Sequence, residues 1–454
     1  MTTEKTNVVI VGAGIMGMST ALWMLESGKY SVTMLDKCDT LPAPDAANGL
    51  TPCLTWRKVL RLSDYIDPLY SALALDARTF WRKPEWEGTY HESGIVALST
   101  KEDRGGMKFV TNAYDNCLNL GLNVKRLPDA AAIRSALDPS SSLPLGDFGG
   151  RQGYANAIGG WAEADRALEV GLKRVEKLGG VIRAGAEAIA LIKDGNDVKG
   201  VETKSGERFL GDLVVVAAGA WTPQFFAYSG VSARLPPIVA TGQSIAMLQL
   251  TPEEVKKYAN VPVVLNFDNG WYIFPPSPQG LLKMSIHGAG YINPINGVSV
   301  PRTKLTPGAE DGAIPKVMLT ALRESLAEVY PELAKKDYVS TRICWYCDSV
   351  TGDWLIDYHP DYNNLFVISG DSGHAFKFAA IIGREILKII ERQPSDFAVL
   401  WSFDPPKEMV EPADEKGDVA TELTEVTHTG ADVRGGMRKL LVEHELVKPE
   451  DLKA

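Results

Sequence analysis

The stretch from Asn7 to Asp36 limits the fold more than any other. Asn7-Val8-Val9-Ile10-Val11 is a short apolar run rich in β-branched residues, the pattern of a strand buried on both faces. It runs into Gly12-Ala13-Gly14-Ile15-Met16-Gly17, a G-x-G-x-x-G, and on into a segment that predicts an amphipathic helix from Ile15 to about Ser27. Ser31 to Leu35 reads as a second strand, closed by Asp36. Gly12 permits the tight turn, Gly14 lets backbone N–H groups approach a pyrophosphate, and Gly17 lets the helix pack on the strand. The phosphates rest against the N-terminal end at Ile15 and Met16, where unpaired N–H groups and the dipole favour negative charge. Asp36 would accept hydrogen bonds from a ribose. Strand, helix, strand and acid in register point to dinucleotide binding. The motif does not separate FAD from NAD.

At 454 residues the chain is too long for one ordinary core, so two domains are expected. A net charge of −10 argues against nucleic acid, which calls for basic stripes. No apolar run approaches transmembrane length, and Met1 to Lys5 has no apolar signal region. The chain reads as cytoplasmic and monomeric, with no nucleic acid or membrane partner. The five cysteines are too scattered for a disulfide framework. Cys344 and Cys347 form one C-x-x-C without a second or a His pair, so no zinc or other metal is expected.

After Asp36, residues from Lys37 to Cys53 read as a long loop leading into the basic cluster Trp56-Arg57-Lys58-Val59-Leu60-Arg61. Helices are predicted near Pro68–Trp81 and Ala162–Leu178, the latter stopped by Gly179-Gly180. A hairpin turns at Gly195-Asn196-Asp197. Asp212 to Gly219 is another buried strand, ending in small residues that let backbone pass close to a ligand. Alternating strands then suggest a mostly antiparallel sheet, among them Ser244–Leu250, Val263–Phe267, Trp271–Phe274 and Leu281–His287. Lys283 falls inside the last of these. A lysine there either snorkels at an edge or is held near a reaction centre. Leu365 to Gly370 returns to a buried strand before Asp371-Ser372-Gly373-His374 and a final helix opened by Lys377. The tail beyond Gln393 is charged and Pro-rich, and is expected to be loosely packed or to wrap the surface.

The N-terminal nucleotide motif, Val216-Ala217-Ala218-Gly219-Ala220-Trp221 and Gly370-Asp371-Ser372-Gly373-His374 together resemble the FAD amine oxidases related to D-amino-acid oxidase and sarcosine oxidase. Arg342-Ile343-Cys344-Trp345, Trp354 to Pro360 and Gly370 to Lys377 are most similar to the amadoriases, the fructosyl amino acid oxidases. The resemblance implies an α/β fold, with a Rossmann-like FAD-binding domain and an α+β substrate domain on a mostly antiparallel sheet. The FAD domain is expected over 1–90, 151–225 and 341–395, the substrate domain over 91–150 and 226–340, and the tail over 396–454.

The cofactor it implies is FAD, joined through sulfur to Cys344, with Cys347 structural. Lys37, Lys58, Ala218, Gly219, Trp221, Gly370, Asp371, Gly373, His374 and Lys377 complete the implied FAD site beside Gly12, Gly14, Ile15, Met16, Gly17 and Asp36. Lys283 is implied to activate O2, since a fixed ammonium in a low-dielectric site stabilises developing superoxide. Arg61 and Lys377 are implied to grip a substrate carboxylate, which suits a planar guanidinium fork. His374 is implied to pack on the flavin, with a plain capping role as the alternative.

Two features depart from the amadoriase pattern. His287 stands four residues after Lys283, where amadoriases carry an acid and sarcosine oxidases a histidine. No arginine occurs from Trp401 to Asp418, the region where amadoriases hold the substrate carboxylate, which leaves Arg434 and Arg438 to reach back. The expected activity is therefore oxidation of the C–N bond of a secondary amine (an N-methyl, N-alkyl or cyclic amino acid) to an imine, with O2 reduced to H2O2 and His287 tuning or accepting the amine proton. A fructosyl amino acid oxidase, and a flavin dehydrogenase with another acceptor, are the alternatives.

Overall fold

The computed structural model describes residues 4–42, 57–61, 65, 67–100, 104–231, 235–406 and 438–454. Its first sheet has the order Leu355–Tyr358, Leu365–Ser369, Leu213–Val216, Thr6–Val11, Tyr30–Leu35, Val181–Arg183. All neighbours are parallel except the outermost Leu355–Tyr358. Alternation along Thr6–Val11 sends Val8 and Ile10 into the core under the helix Ile15–Glu26, and Val9 and Val11 into a core on the opposite face. Ala164–Lys177 and Ile382–Ile390 pack against that helix. The antiparallel hairpin Ala188–Asp194 and Asp197–Thr203 contributes Leu191, Val198 and Val201 to the opposite core. Burial on both faces is why these strands read as unbroken apolar runs.

The second sheet is mostly antiparallel. Its order is Lys439–Leu440, Tyr291–Ile292, Ile238–Gln249, Leu281–Ile286, Trp271–Ile273, Val263–Asn266, Ile95–Thr100, Arg151–Asn156, Val124–Leu127. Tyr338–Ser349 also pairs with Ile238–Gln249. The helices Ala130–Leu137 and Lys316–Val329 bury Ile133, Leu137, Leu322 and Leu326 in the core of this sheet. No helix among the described residues is long and apolar enough to cross a membrane.

Several expectations need correction. Boundaries drawn at residues 151 and 341 do not follow the sheets. Arg151–Asn156 pairs with Ile95–Thr100, and residue 341 lies inside Tyr338–Ser349, so both strands belong to the second sheet. The helix expected from Ala162 starts at Ala164, because Gly160–Glu163 forms a strand against Arg57–Leu60. Lys377 does not open the final helix but lies in a 3-10 turn, Ala375–Phe378, ahead of Ile382–Ile390.

The tail does not simply wrap the surface where it is described. Trp401 is fully buried against Phe397 and Trp354, with ring centroids at 4.3 and 4.9 Å. Leu446 and Val447 enter the core of the second sheet. Enough apolar side chain stands at these positions to favour burial over solvation. Residues 407–437, with Arg434, and most of the loop expected after Lys37 lie outside the described residues.

Candidate active site

Close backbone approach shapes the Gly12–Gly17 turn. A Cβ on Gly12, whose φ is +107°, would lie 2.3 Å from the Ala217 carbonyl oxygen, and one on Gly17 would lie 2.1 Å from the Gly12 carbonyl oxygen. At Gly14 nothing lies within 4 Å of that position, so the turn faces open space there. The helix beginning at Ile15 and Met16 has neither a side-chain cap nor an acid in its first turn. Its N–H groups and positive dipole end suit a pyrophosphate. The Asp36 carboxylate accepts the backbone N–H groups of Ala13 and Cys38, each at 3.0 Å, which holds it at the strand end. The Lys37 ammonium stands 3.6 Å from the centre of the Trp221 ring. Next to it, the Ala217-Ala218-Gly219 turn closes on Gly12, with Gly219 at φ +53°. Gly17→Ala drives a methyl group into the Gly12 carbonyl and is expected to lower bound nucleotide per chain about tenfold or more. Absorbance of the purified protein measures this, and a variant as yellow as the parent would count against the cradle.

Strand register builds the second part of the site. Ile238–Gln249 runs between Leu281–Ile286 and Tyr338–Ser349, with Ile245 opposite both Ser285 and Arg342. Side chains alternate between faces. Lys283 and Ser285, with His287 just beyond the strand, therefore share a face with Arg342, Cys344 and Tyr346. Tyr272, paired with Ser285, joins them. His287 is held by its neighbour, since the Gln243 side-chain amide donates to the Gly288 carbonyl and accepts the Gly288 N–H, both at 3.1 Å.

Lys283 is 5% exposed, and its Nζ donates to the Arg57 carbonyl at 2.7 Å. Burial, with the nearby Lys58, Arg342 and Arg57 charges, holds its pKa well below that of an ordinary lysine. Lys58 donates from Nζ to the Cys344 sulfur at 3.4 Å. Burial opposes a Cys344 thiolate, but the positive charges of Lys58, Arg342 and Lys283 outweigh it, and the thiol's pKa is lowered. Cys347 points to the other face, beside Ser369 and Asp371. Burial there pushes its thiol up to about 12. Two cysteines three residues apart thus have opposite chemistry, and Cys344 is the one poised as a nucleophile.

A cleft in front of this face is lined by Lys58, Arg61, Asn266, Phe267, Trp271, Tyr272, His287, Tyr346, His374 and Lys377, among others. No Asp or Glu stands among the described residues that line it. Arg61 is buried among aromatic rings, its guanidinium 5.5 Å from the centres of Tyr65 and Phe109 and 5.8 Å from Phe267. Lys377 and His374 meet at Tyr65. The Gly370–Gly373 turn that leads into His374 approaches Tyr346, and a Cβ on Gly373 would lie 2.4 Å from that ring. Asp371 accepts the Cys347 N–H at 2.7 Å, and burial raises its carboxyl to about 7.

The structure brings Lys58, Arg61, Lys283, His287, Cys344, His374 and Lys377 together around this cleft. Lys58 lies in the strand Arg57–Leu60. Arg438 does not line the cleft: it is buried, with Nη2 4.0 Å from the Asp348 carboxylate. Arg57 and Arg342 stood in motifs without an assigned role, and Tyr65, Tyr272 and Tyr346 were not singled out. Tyr346 and Arg342 share the parity of Cys344, a signal that was available. Tyr65 and Tyr272 become visible only through tertiary pairing.

A family model described as FAD dependent oxidoreductase matches residues 7–389. The chain belongs to that family. The residues present fit FAD: an open phosphate turn at Gly14, a fixed acid at Asp36, and a cationic cleft beyond. Among similar proteins, L-saccharopine oxidase of Schizosaccharomyces pombe is 30% identical over 412 residues, covering 84% of this chain and 89% of that protein. Monomeric sarcosine oxidase of a Bacillus strain is 24% identical and covers 84% of this chain and 92% of its own. Among solved structures, fructosamine oxidase (Amadoriase II) of Aspergillus fumigatus in complex with FSA superposes with a TM-score of 0.80 at 26% identity, covering 99% of this chain and 98% of that one. The amine-oxidase reading of the motifs stands with these relatives, and the protein is an FAD-dependent oxidoreductase.

Proposed function

We propose that the protein oxidises the C–N bond of an N-substituted amino acid to an imine, with O2 as acceptor and H2O2 released, and carries its FAD on the Cys344 sulfur. The observation that supports this best is the shared sheet face on which Lys283, His287 and the activated Cys344 stand behind a cleft closed by Arg61 and Lys377. When bound, FAD supplies the two-electron chemistry between the amine and O2.

The chain's own residues do the rest. Arg61 and Lys377 take the substrate carboxylate and so orient the amine, which replaces an encounter with a fixed geometry. Phe267 and Tyr272 wall the cleft and exclude water. His287 accepts the ammonium proton at an imidazole nitrogen, leaving the neutral amine that can be oxidised. Lys283 supplies positive charge where O2 gains its first electron.

The cationic cleft, with no carboxylate among its described lining residues, favours an anionic substrate. The resemblance to L-saccharopine oxidase supports an N-alkylated amino acid with a further carboxylate. Fructosyl amino acids are the second reading, supported by the full-length match to Amadoriase II. A screen of H2O2 release with saccharopine, pipecolate, sarcosine, N-methyltryptophan and fructosyl amino acids tests both. Turnover of saccharopine, which carries carboxylates on both N-substituents, at least about tenfold above the fructosyl compounds is expected. Amine oxidation that consumes no O2 in an oxygen electrode would replace the oxidase with a dehydrogenase.

A further inference from the structure

Tyr65 lies beneath the cleft and is 1% exposed, with its ring stacked on Tyr70 at 5.5 Å between centroids. Its hydroxyl oxygen is 2.5 Å from the Lys377 ammonium and 3.2 Å from His374 Nδ1. His374 Nε2 lies 2.9 Å from the Gly352 carbonyl oxygen, which can only accept, so Nε2 carries a proton. The Lys377 ammonium can only donate, so the Tyr65 oxygen accepts from it and its hydroxyl hydrogen is left to point at His374 Nδ1. The directions then follow from one another. Lys377 donates to the Tyr65 oxygen, the Tyr65 hydroxyl donates to His374 Nδ1, and His374 Nε2 donates to Gly352.

We infer that Tyr65 is a positioning residue, whose hydroxyl fixes the Lys377 ammonium for a carboxylate ligand. The inference rests on the proposed clamp at Arg61 and Lys377. A lysine alone is a flexible point charge with four methylenes to order. A buried phenol that takes one of its three N–H groups removes that freedom before the ligand arrives, on a side chain that lines the cleft. Pre-ordering of this kind raises affinity without adding any contact to the ligand.

The test uses holoenzyme and acetate as the probe, titrated against the absorbance of the bound flavin, with uncharged acetamide as the control. Tyr65→Phe keeps the stacked ring and removes the hydroxyl. It is expected to raise the acetate Kd about tenfold while leaving acetamide binding unchanged. Should that variant not fold, Tyr65→Leu makes the same comparison. The Lys377→Met and Tyr65→Phe effects on acetate should be non-additive, because the second acts through the first. If Lys377→Met binds acetate as the parent does, the clamp itself is wrong. If Lys377→Met weakens acetate and Tyr65→Phe does not, or weakens acetamide equally, or the two effects add, the positioning role of Tyr65 alone is overturned.

Discussion

Lys283→Met is expected to slow the reaction of the reduced enzyme with O2 by about a hundredfold or more, while the anaerobic reaction with amine changes by less than about tenfold. The asymmetry follows from placement. Lys283 is buried in a strand, tied to the Arg57 carbonyl at 2.7 Å, and lies outside the cleft lining where Arg61 and Lys377 would meet the substrate. Its charge matters most when a new negative charge appears on O2 in a site that water does not screen. Stopped-flow measurement of the two half-reactions separates the effects, and equal losses in both would refute the assignment. The sign of the pH dependence is also set. Burial and the surrounding cations lower the Lys283 pKa, and the protonated form carries the rate. The O2 reaction should therefore fall as pH rises through that lowered pKa. Lys283→Met should be flat over the same range, and Lys283→Arg, which stays protonated, should move the fall upward.

Cys344→Ser is expected to release essentially all flavin into the supernatant on acid precipitation, whereas the parent's yellow colour stays in the pellet. The physical basis is thiolate supply. Lys58 at 3.4 Å, with Arg342 and Lys283 on the same sheet face, lowers the Cys344 thiol against the opposing effect of burial. A serine hydroxyl in the same place remains protonated and does not make the link. Cys347→Ser serves as the control, since its thiol is pushed up to about 12 and faces away from the cleft. Loss of the bond in that variant, or a colourless pellet from the parent, would remove Cys344 from the proposal.

The elements legible in the sequence were those whose local pattern and tertiary role agree. Residues 8–11, 213–216 and 365–368 are apolar throughout because both faces are covered, and the turn glycines stand where backbone meets backbone. Pro68–Trp81 begins behind Asp67, whose carboxylate caps the helix at the Leu69 N–H. No helix was expected over Arg104–Asn119, which carries Gly105-Gly106 in its first turn. In fact a Cβ at Gly106 would lie 2.8 Å from the Phe267 carbonyl oxygen, so that glycine serves close packing rather than termination.

The site divides in the same way. Lys283 was conspicuous as a charge within an apolar strand, and Cys344 through its motif. Tyr272 and Tyr65 carry no local mark. Tyr272 reaches the cleft through its pairing with Ser285, and Tyr65 through residues over three hundred positions away, 309 to His374 and 312 to Lys377. A single sequence contains no register between strands, so these partners were out of its reach.

The nucleotide sheet sets Thr6–Val11 beside Leu213–Val216, and the latter beside Leu365–Ser369. During synthesis the amino-terminal strand must therefore wait for segments made much later before its hydrogen-bonding edge is covered. Capture of the cofactor becomes a late event in biogenesis. Cleavage between the two sheets would also release no self-sufficient nucleotide-binding fragment, because the pieces that complete it lie on both sides of the inserted strands.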